Sequence, residues 1–87
     1  MKFMVTHHCK ARMREHGIRD EWLTMALQDP QQSRVSEDGR LHAFRCIPEY
    51  CKRWLHVVIE TSASPHRVLT AYFDRSMGKG EHHEDSD

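Results

Sequence analysis

Trp54-Leu55-His56-Val57-Val58-Ile59-Glu60 is the stretch that decides the fold. It holds Trp54, two valines and an isoleucine, contains neither Gly nor Pro, and alternates its strongest apolar positions, so it reads as a strand. Leu55, Val57 and Ile59 share one face, and His56, Val58 and Glu60 share the other. One face therefore belongs to a core, and the opposite one carries a histidine. Downstream, Ser62-Ala63-Ser64-Pro65 reads as a loop, and Arg67 to Phe73 repeats the pattern, with Leu69, Ala71 and Phe73 facing the core against Val68, Thr70 and Tyr72. Upstream, Pro48 to Lys52 bridges to a strand from Arg40 to Ile47. Glu37-Asp38-Gly39-Arg40 reads as a hairpin turn, since Asp-Gly supplies the positive φ that a tight connection needs, and a short edge strand over Ser33 to Ser36 precedes it. Within Arg40 to Ile47 two parities compete: Leu41, Ala43 and Ile47 take Arg45 with them, whereas Phe44 and Cys46 take His42. The reading favours Arg45 outward.

Further towards the N-terminus the period changes from two to between three and four. His7 to His16 lacks Gly and Pro, Cys9 and Met13 fall four apart on one side of a helix, and Gly17 suits its C-terminal cap. Asp20-Glu21 place acids in the first turn of a second helix, where they favour the positive end of the helix dipole. Trp22, Leu23, Ala26 and Leu27 follow at helical spacing until Asp29-Pro30 closes the segment. Two N-terminal helices, His7 to His16 and Asp20 to Asp29, followed by an antiparallel meander define an α+β chain. The expected architecture packs both helices on one face of a three- to four-stranded antiparallel sheet.

A length of 87 residues supports one core, assigned to residues 1–77. No apolar run approaches the ~18 to 20 residues that span a bilayer, and Met1 to Thr6 turns polar at His7-His8 too early for a secretory signal. Three cysteines cannot all pair within the chain, which fits a reducing cytoplasm better than a disulfide scaffold. The formal charge of zero conceals a split. Residues 1–80 hold all thirteen Lys and Arg but nine acids, a net of plus four, and residues 81–87 hold the remaining four acids without Lys or Arg. The expectation is a mildly basic body, compatible with nucleic acid, and a disordered acidic tail over residues 78–87. Metal ligation is not expected, because neither His7-His8-Cys9, nor Cys46 and Cys51, nor His82-His83 forms a C-x-x-C or H-E-x-x-H spacing. Cys46 and Cys51 flank the central loop and are expected to face each other; Cys9 reads as a small core hydrophobe.

His8-Cys9-Lys10-Ala11-Arg12-Met13-Arg14-Glu15-His16-Gly17-Ile18 fits an H-x-x-x-R-M-x-E-x-G-I signature. With Asp29-Pro30, Arg45, Leu55-His56-Val57-Val58 and Arg67-Val68-Leu69-Thr70-Ala71, it resembles an uncharacterised bacterial domain family. That family is similar, more distantly, to the BrnT toxins of the RelE-like ribonuclease superfamily. The resemblance covers roughly residues 7 to 76. It implies an endoribonuclease fold that cleaves mRNA without a metal or other cofactor, partnered by an antitoxin protein, in which the RNA 2′-hydroxyl attacks its own phosphate. BrnT-like chains usually carry an Arg late in the last strand, where this chain has Tyr72, a residue that some RelE-like members use. They also continue into a C-terminal helix where this chain has Gly78 and acids. The competing reading is a noncatalytic module that keeps the fold and binds protein or nucleic acid.

Candidate residues follow. His56 on the open sheet face is the acid/base candidate, since imidazole exchanges protons near neutral pH; a strand histidine bonded to a neighbour is the plainer alternative. Tyr72 and Arg45 complete the catalytic set. His8 and Arg12, four apart with His16 one step further, line one helix face towards substrate. Arg67 and Arg75 offer planar forks to phosphate, and Trp54 offers a surface on which a base stacks.

Overall fold

A computed structural model describes residues 2–76. Its elements run β1 (Phe3–Val5), α1 (His7–His16), α2 (Asp20–Gln28), β2 (Gln32–Val35), β3 (Leu41–Ile47), a 3-10 turn (Pro48–Tyr50), β4 (Arg53–Glu60) and β5 (His66–Phe73). The class is α+β, with both helices laid on one face of the sheet. The sheet, however, has five strands in the order β1-β5-β4-β3-β2, and it is mixed: β1 runs parallel to β5, the remaining pairs antiparallel. The three- to four-stranded antiparallel expectation is corrected on both counts. Three residues are too few to show alternation, and β1 finds its partner some sixty residues away, where no local signal points.

Thr6 shows how that pairing is locked. Its hydroxyl accepts the N–H of Cys9 at 3.2 Å, capping α1, and donates to the carbonyl of Val68 at 3.0 Å. One side chain thus starts the helix and ties it to β5. Gly17 at φ 66° ends α1, its N–H returning to Met13. Cys9 and Met13 from α1 and Trp22, Leu23 and Ala26 from α2 then meet Leu55, Val57 and Ile59 of β4 in a continuous core. Burying such aliphatic side chains contributes about 1.5–3 kcal/mol each.

Two face assignments change. A bulge opposite Val58/Ile59 inserts an extra residue in β5, so Ile59 pairs with Val68 while Val58 pairs with Thr70. Beyond the bulge the parity flips, which puts Val68 into the core and leaves Leu69 half-buried. In β3, Arg45 pairs with core residue Leu55 and so lies on the helix side. Its guanidinium escapes at the end of α2, where Nη1 donates to the Asp29 carbonyl at 3.0 Å and to its carboxylate at 3.1 Å. That bond satisfies a helix C-terminal carbonyl with a cation. His42, Phe44 and Cys46 consequently take the second face, and the acidic tail over residues 78–87 lies outside the described residues.

Candidate functional site

Register alone assembles a row on the second face. Phe44 pairs with His56 and His56 with Tyr72, so three rings from three strands stand side by side. His56 lies between the other two, with centroid separations of 4.3 Å to Phe44 and 4.8 Å to Tyr72. These rings leave His56 only 4% exposed, and Trp54 beside it 6%. The face expected to be open is therefore closed at its centre. Burial, reinforced by His42, holds the His56 imidazole below the ordinary histidine range, against an opposing pull from Asp74.

Polar contacts run from this histidine in both directions. Its Nε2 lies 2.8 Å from Nδ1 of His42, whose Nε2 lies 3.1 Å from Oγ of Ser36; the Ser36 hydroxyl also contacts Asp38. On the other side Asp74 Oδ2 stands 3.4 Å from Nδ1 of His56, within ion-pair distance but without a well-directed hydrogen bond. Two carboxylates thus bracket two imidazoles and a hydroxyl. Counting protons, every link has a donor only when the histidine pair carries one proton beyond neutrality: His56 Nδ1–H to Asp74, His56 Nε2–H to His42, His42 Nε2–H to Ser36, and Ser36 O–H to Asp38. In the neutral pair one link lacks its donor. Hydrogen bonds from Ser76 are the first cause holding the Asp74 carboxyl below its usual range, and that from Ser36 does the same for Asp38.

Beside the row lies a pocket of about 360 Å³, lined by Arg12, His16, Tyr50, Arg53, Tyr72, Phe73 and Arg75. Arg12 and His16 come from one side of α1, four residues apart. Tyr50 ends the 3-10 turn and Arg53 opens β4, and between them Cys51 and Lys52 both take φ 55° to turn the chain back. The Arg53 guanidinium lies 5.2 Å from the Tyr50 ring centroid, a cation–π arrangement. Arg12 Nε is buried without a hydrogen-bond partner, and among the described residues Arg12, Arg53 and Arg75 form no salt bridge with a carboxylate. Three arginines therefore line one pocket with the Tyr72 phenol, and among the described residues none of the three is paired with a carboxylate. Tyr72 keeps its proton: burial and then Asp74 push its hydroxyl above the ordinary range, opposed by Arg34 and Arg12.

The sequence-named residues divide accordingly. Arg12, Tyr72 and Arg75 line the pocket, and His56 lies behind Tyr72. Arg45 faces the opposite side of the sheet, tied to Asp29. His8 is exposed on α1 and is not among the pocket residues. Arg67 pairs in register with Glu60 at the far end of β4 and β5. Trp54 is too enclosed to offer an open ring face. Sequence reasoning missed His42, Tyr50, Arg53 and Asp74. Alternation places Asp74 on the Tyr72 face, a usable signal; nothing local marks Tyr50 and Arg53 as neighbours of Arg12. Among the described residues no three His, Cys, Asp or Glu side chains gather to hold a metal ion. The thiols of Cys9, Cys46 and Cys51 are free, and Cys46 contacts the Lys52 carbonyl at 3.4 Å. Among the described residues no helix is long and apolar enough to cross a membrane.

Fold and site together define a small α+β domain with an arginine-lined pocket at one end of a mixed sheet. The sequence model of a family described as a domain of unknown function, DUF4258, matches residues 5–73, and the chain belongs to that family. No curated protein and no solved structure shows a significant match to it.

Proposed function

We propose that this domain is a metal-independent endoribonuclease of the RelE/BrnT-like toxin type, acting on single-stranded mRNA and held in check by an antitoxin partner. The observation that carries the reading is the meeting of Arg12, Arg53 and Arg75 around Tyr72 without a carboxylate partner among the described residues. Planar guanidinium forks suit phosphate, and their charge suits the extra negative charge that develops on phosphorus during attack. In the proposed step the 2′-oxygen bonds to the adjacent phosphorus while the bond to the 5′-oxygen breaks. Tyr72, which retains its proton, protonates the departing oxygen; His16, the imidazole of the pocket, accepts the 2′-hydroxyl proton. The products are a 2′,3′-cyclic phosphate and a 5′-hydroxyl. Asp74 and His56 stand behind Tyr72 and do not line the pocket.

A specific observation favours the second reading, a module that binds RNA without cutting it: the sequence-named acid/base residue, His56, is buried and has no open edge for substrate. Purified protein incubated with single-stranded RNA in excess EDTA separates the two. Cleavage with cyclic-phosphate ends, abolished by Tyr72→Phe and Arg12→Ala, supports the enzyme. Salt-sensitive binding of intact RNA that Tyr72→Phe leaves unchanged supports the module. RNA neither bound nor cut removes both. In cells, growth arrest on expression, relieved by co-expression of a small neighbouring antitoxin gene, tests the partner.

A further inference from the structure

Asp74 sits where the sheet ends and the pocket begins. Its backbone N–H still belongs to the ladder, donating to the Trp54 carbonyl at 2.8 Å. Its carboxylate divides its work: Oδ1 accepts from the backbone N–H of Ser76 at 3.0 Å and from the Ser76 hydroxyl at 2.6 Å, while Oδ2 faces the buried Nδ1 of His56 at 3.4 Å. Arg75 is thus bracketed on both sides. Residue 74 is fixed to β4, residue 76 is folded back onto the residue 74 carboxylate, and the side chain between them lines the phosphate pocket. The Asp74 carboxylate thereby caps the helical turn that begins at Arg75, and without that cap the turn is less ordered and more of it must be ordered when an anion binds.

We propose that Asp74 is the positioning residue of the pocket: its carboxylate closes a turn over residues 74–76 that presents Arg75 to phosphate, while its second oxygen faces the enclosed His56 ring. The inference rests on the phosphate-pocket reading above. It runs against simple electrostatics, because a carboxylate close to an anion site should by itself weaken binding. Asp74 contributes here through order.

That opposition supplies the test. Full-length protein is titrated into a short fluorescein-labelled single-stranded RNA at low and physiological salt, using Asp74→Ala, Asp74→Asn, Arg75→Ala and the Asp74→Ala/Arg75→Ala double variant. Asn keeps the oxygen that accepts from Ser76 and removes the charge. Positioning predicts ~10-fold weaker binding for Asp74→Ala, the ordering of about one residue, and binding within ~2-fold of wild type, or tighter, for Asp74→Asn. The double variant should be no weaker than Arg75→Ala, since the effect passes through that arginine. The log–log salt slope should fall by ~0.7 in Asp74→Ala, as it does in Arg75→Ala, one phosphate contact on a single strand. Equal tightening by Asp74→Ala and Asp74→Asn, with normal wild-type binding, overturns the positioning role alone. Additive losses in the double variant do the same. If wild type shows no salt-sensitive binding, and Arg12→Ala and Arg75→Ala change nothing, the pocket reading falls and this role falls with it.

Discussion

Leu55 and His56 are neighbours in sequence and opposites in environment. Both are buried on β4, yet Leu55 meets the helices in an apolar layer, whereas His56 is enclosed by rings, a second histidine and a carboxylate. One face of this sheet holds the fold together by excluding water from hydrocarbon; the other buries polar groups that must be satisfied one by one. Both faces reach the arginine pocket at the end of the sheet, the helix side through Arg12, His16 and Phe73 and the second face through Tyr72. Within β4 the two kinds of burial lie a single step apart along the strand, and substitutions at Leu55 and at His56 should fail in different ways.

The largest effect belongs to the helix side. Leu55→Ala should lower the unfolding free energy by about 2–5 kcal/mol, the range for an aliphatic side chain removed from a packed core. Urea denaturation followed by circular dichroism measures it. A loss under ~1 kcal/mol would mean that the helix layer packs loosely and that the contrast between the faces is overdrawn.

On the pocket side the change should appear in binding and leave folding intact. Arg12→Ala should weaken single-stranded RNA binding by roughly 10- to 100-fold, the value of a charge-assisted contact, with a thermal midpoint close to wild type. Fluorescence anisotropy and thermal melts on the same samples test both halves. If the midpoint collapses along with affinity, Arg12 serves the fold rather than the site.

The extent to which this contrast could be read from sequence depends on the residues chosen. Alternation in β4 assigned Leu55, Val57 and Ile59 correctly, because three strong apolar positions in phase leave one parity. It failed in β5 at Leu69, since a bulge changes phase without a Gly or other local mark, and in β3 at Arg45, since apolar residues occupy both phases of that strand. Phe44 competes with Ala43 for the core only if one assumes that a single face is buried; the ring row buries both. β1 was too short to announce itself. The helices were legible to within a residue of Asp29 because capping and Pro30 are local chemistry. Arg12 and Tyr72 were named individually, but their meeting with Arg53 and Tyr50 depends on a turn through Cys51 and Lys52 at positive φ, which neither residue type favours.

The buried histidine gives the comparison a pH axis. In the unfolded chain His56 takes up a proton below about 6.5; in the folded chain burial and His42 resist that protonation to lower pH. Between the two values the unfolded state binds more protons, so stability falls as pH falls through this window and levels off below the folded value. One such group limits the slope to about 1.4 kcal/mol per pH unit. His42 from β3, Arg34 from β2 and Tyr72 and Asp74 from the β5 end all face the ring, and Asp74 alone favours its protonation through charge. His56→Phe, which keeps a ring between Phe44 and Tyr72, should flatten the curve between pH 7.5 and 5. Asp74 acts in a lower window: its depressed carboxyl contributes stability above about pH 4 that is lost on further acidification. If His56→Phe and wild type lose stability in parallel from pH 7.5 to 5, His56 is not the group that titrates.

The smallest effect concerns the acids at the end of the chain. Residues 81–87 carry four acids and no Lys or Arg, and every one of their side chains ends in a polar group. Glu81 follows Arg75 by six residues, and an extended chain of that length spans up to about 20 Å, enough to return to the pocket that Arg75 lines. Carboxylates and RNA phosphates would then compete for the same guanidinium groups. Exposed charge pairs contribute about 1 kcal/mol or less, so deleting residues 79–87 should tighten RNA binding by no more than ~5-fold. The gain should shrink as salt shortens the screening length towards ~8 Å. Thermal stability should not change, because residues 79–87 include no residue with an apolar side chain. Equal affinity of full-length and truncated protein at low ionic strength would show that the acids do not reach the arginines. A fall in the thermal midpoint would show that they support the second face instead.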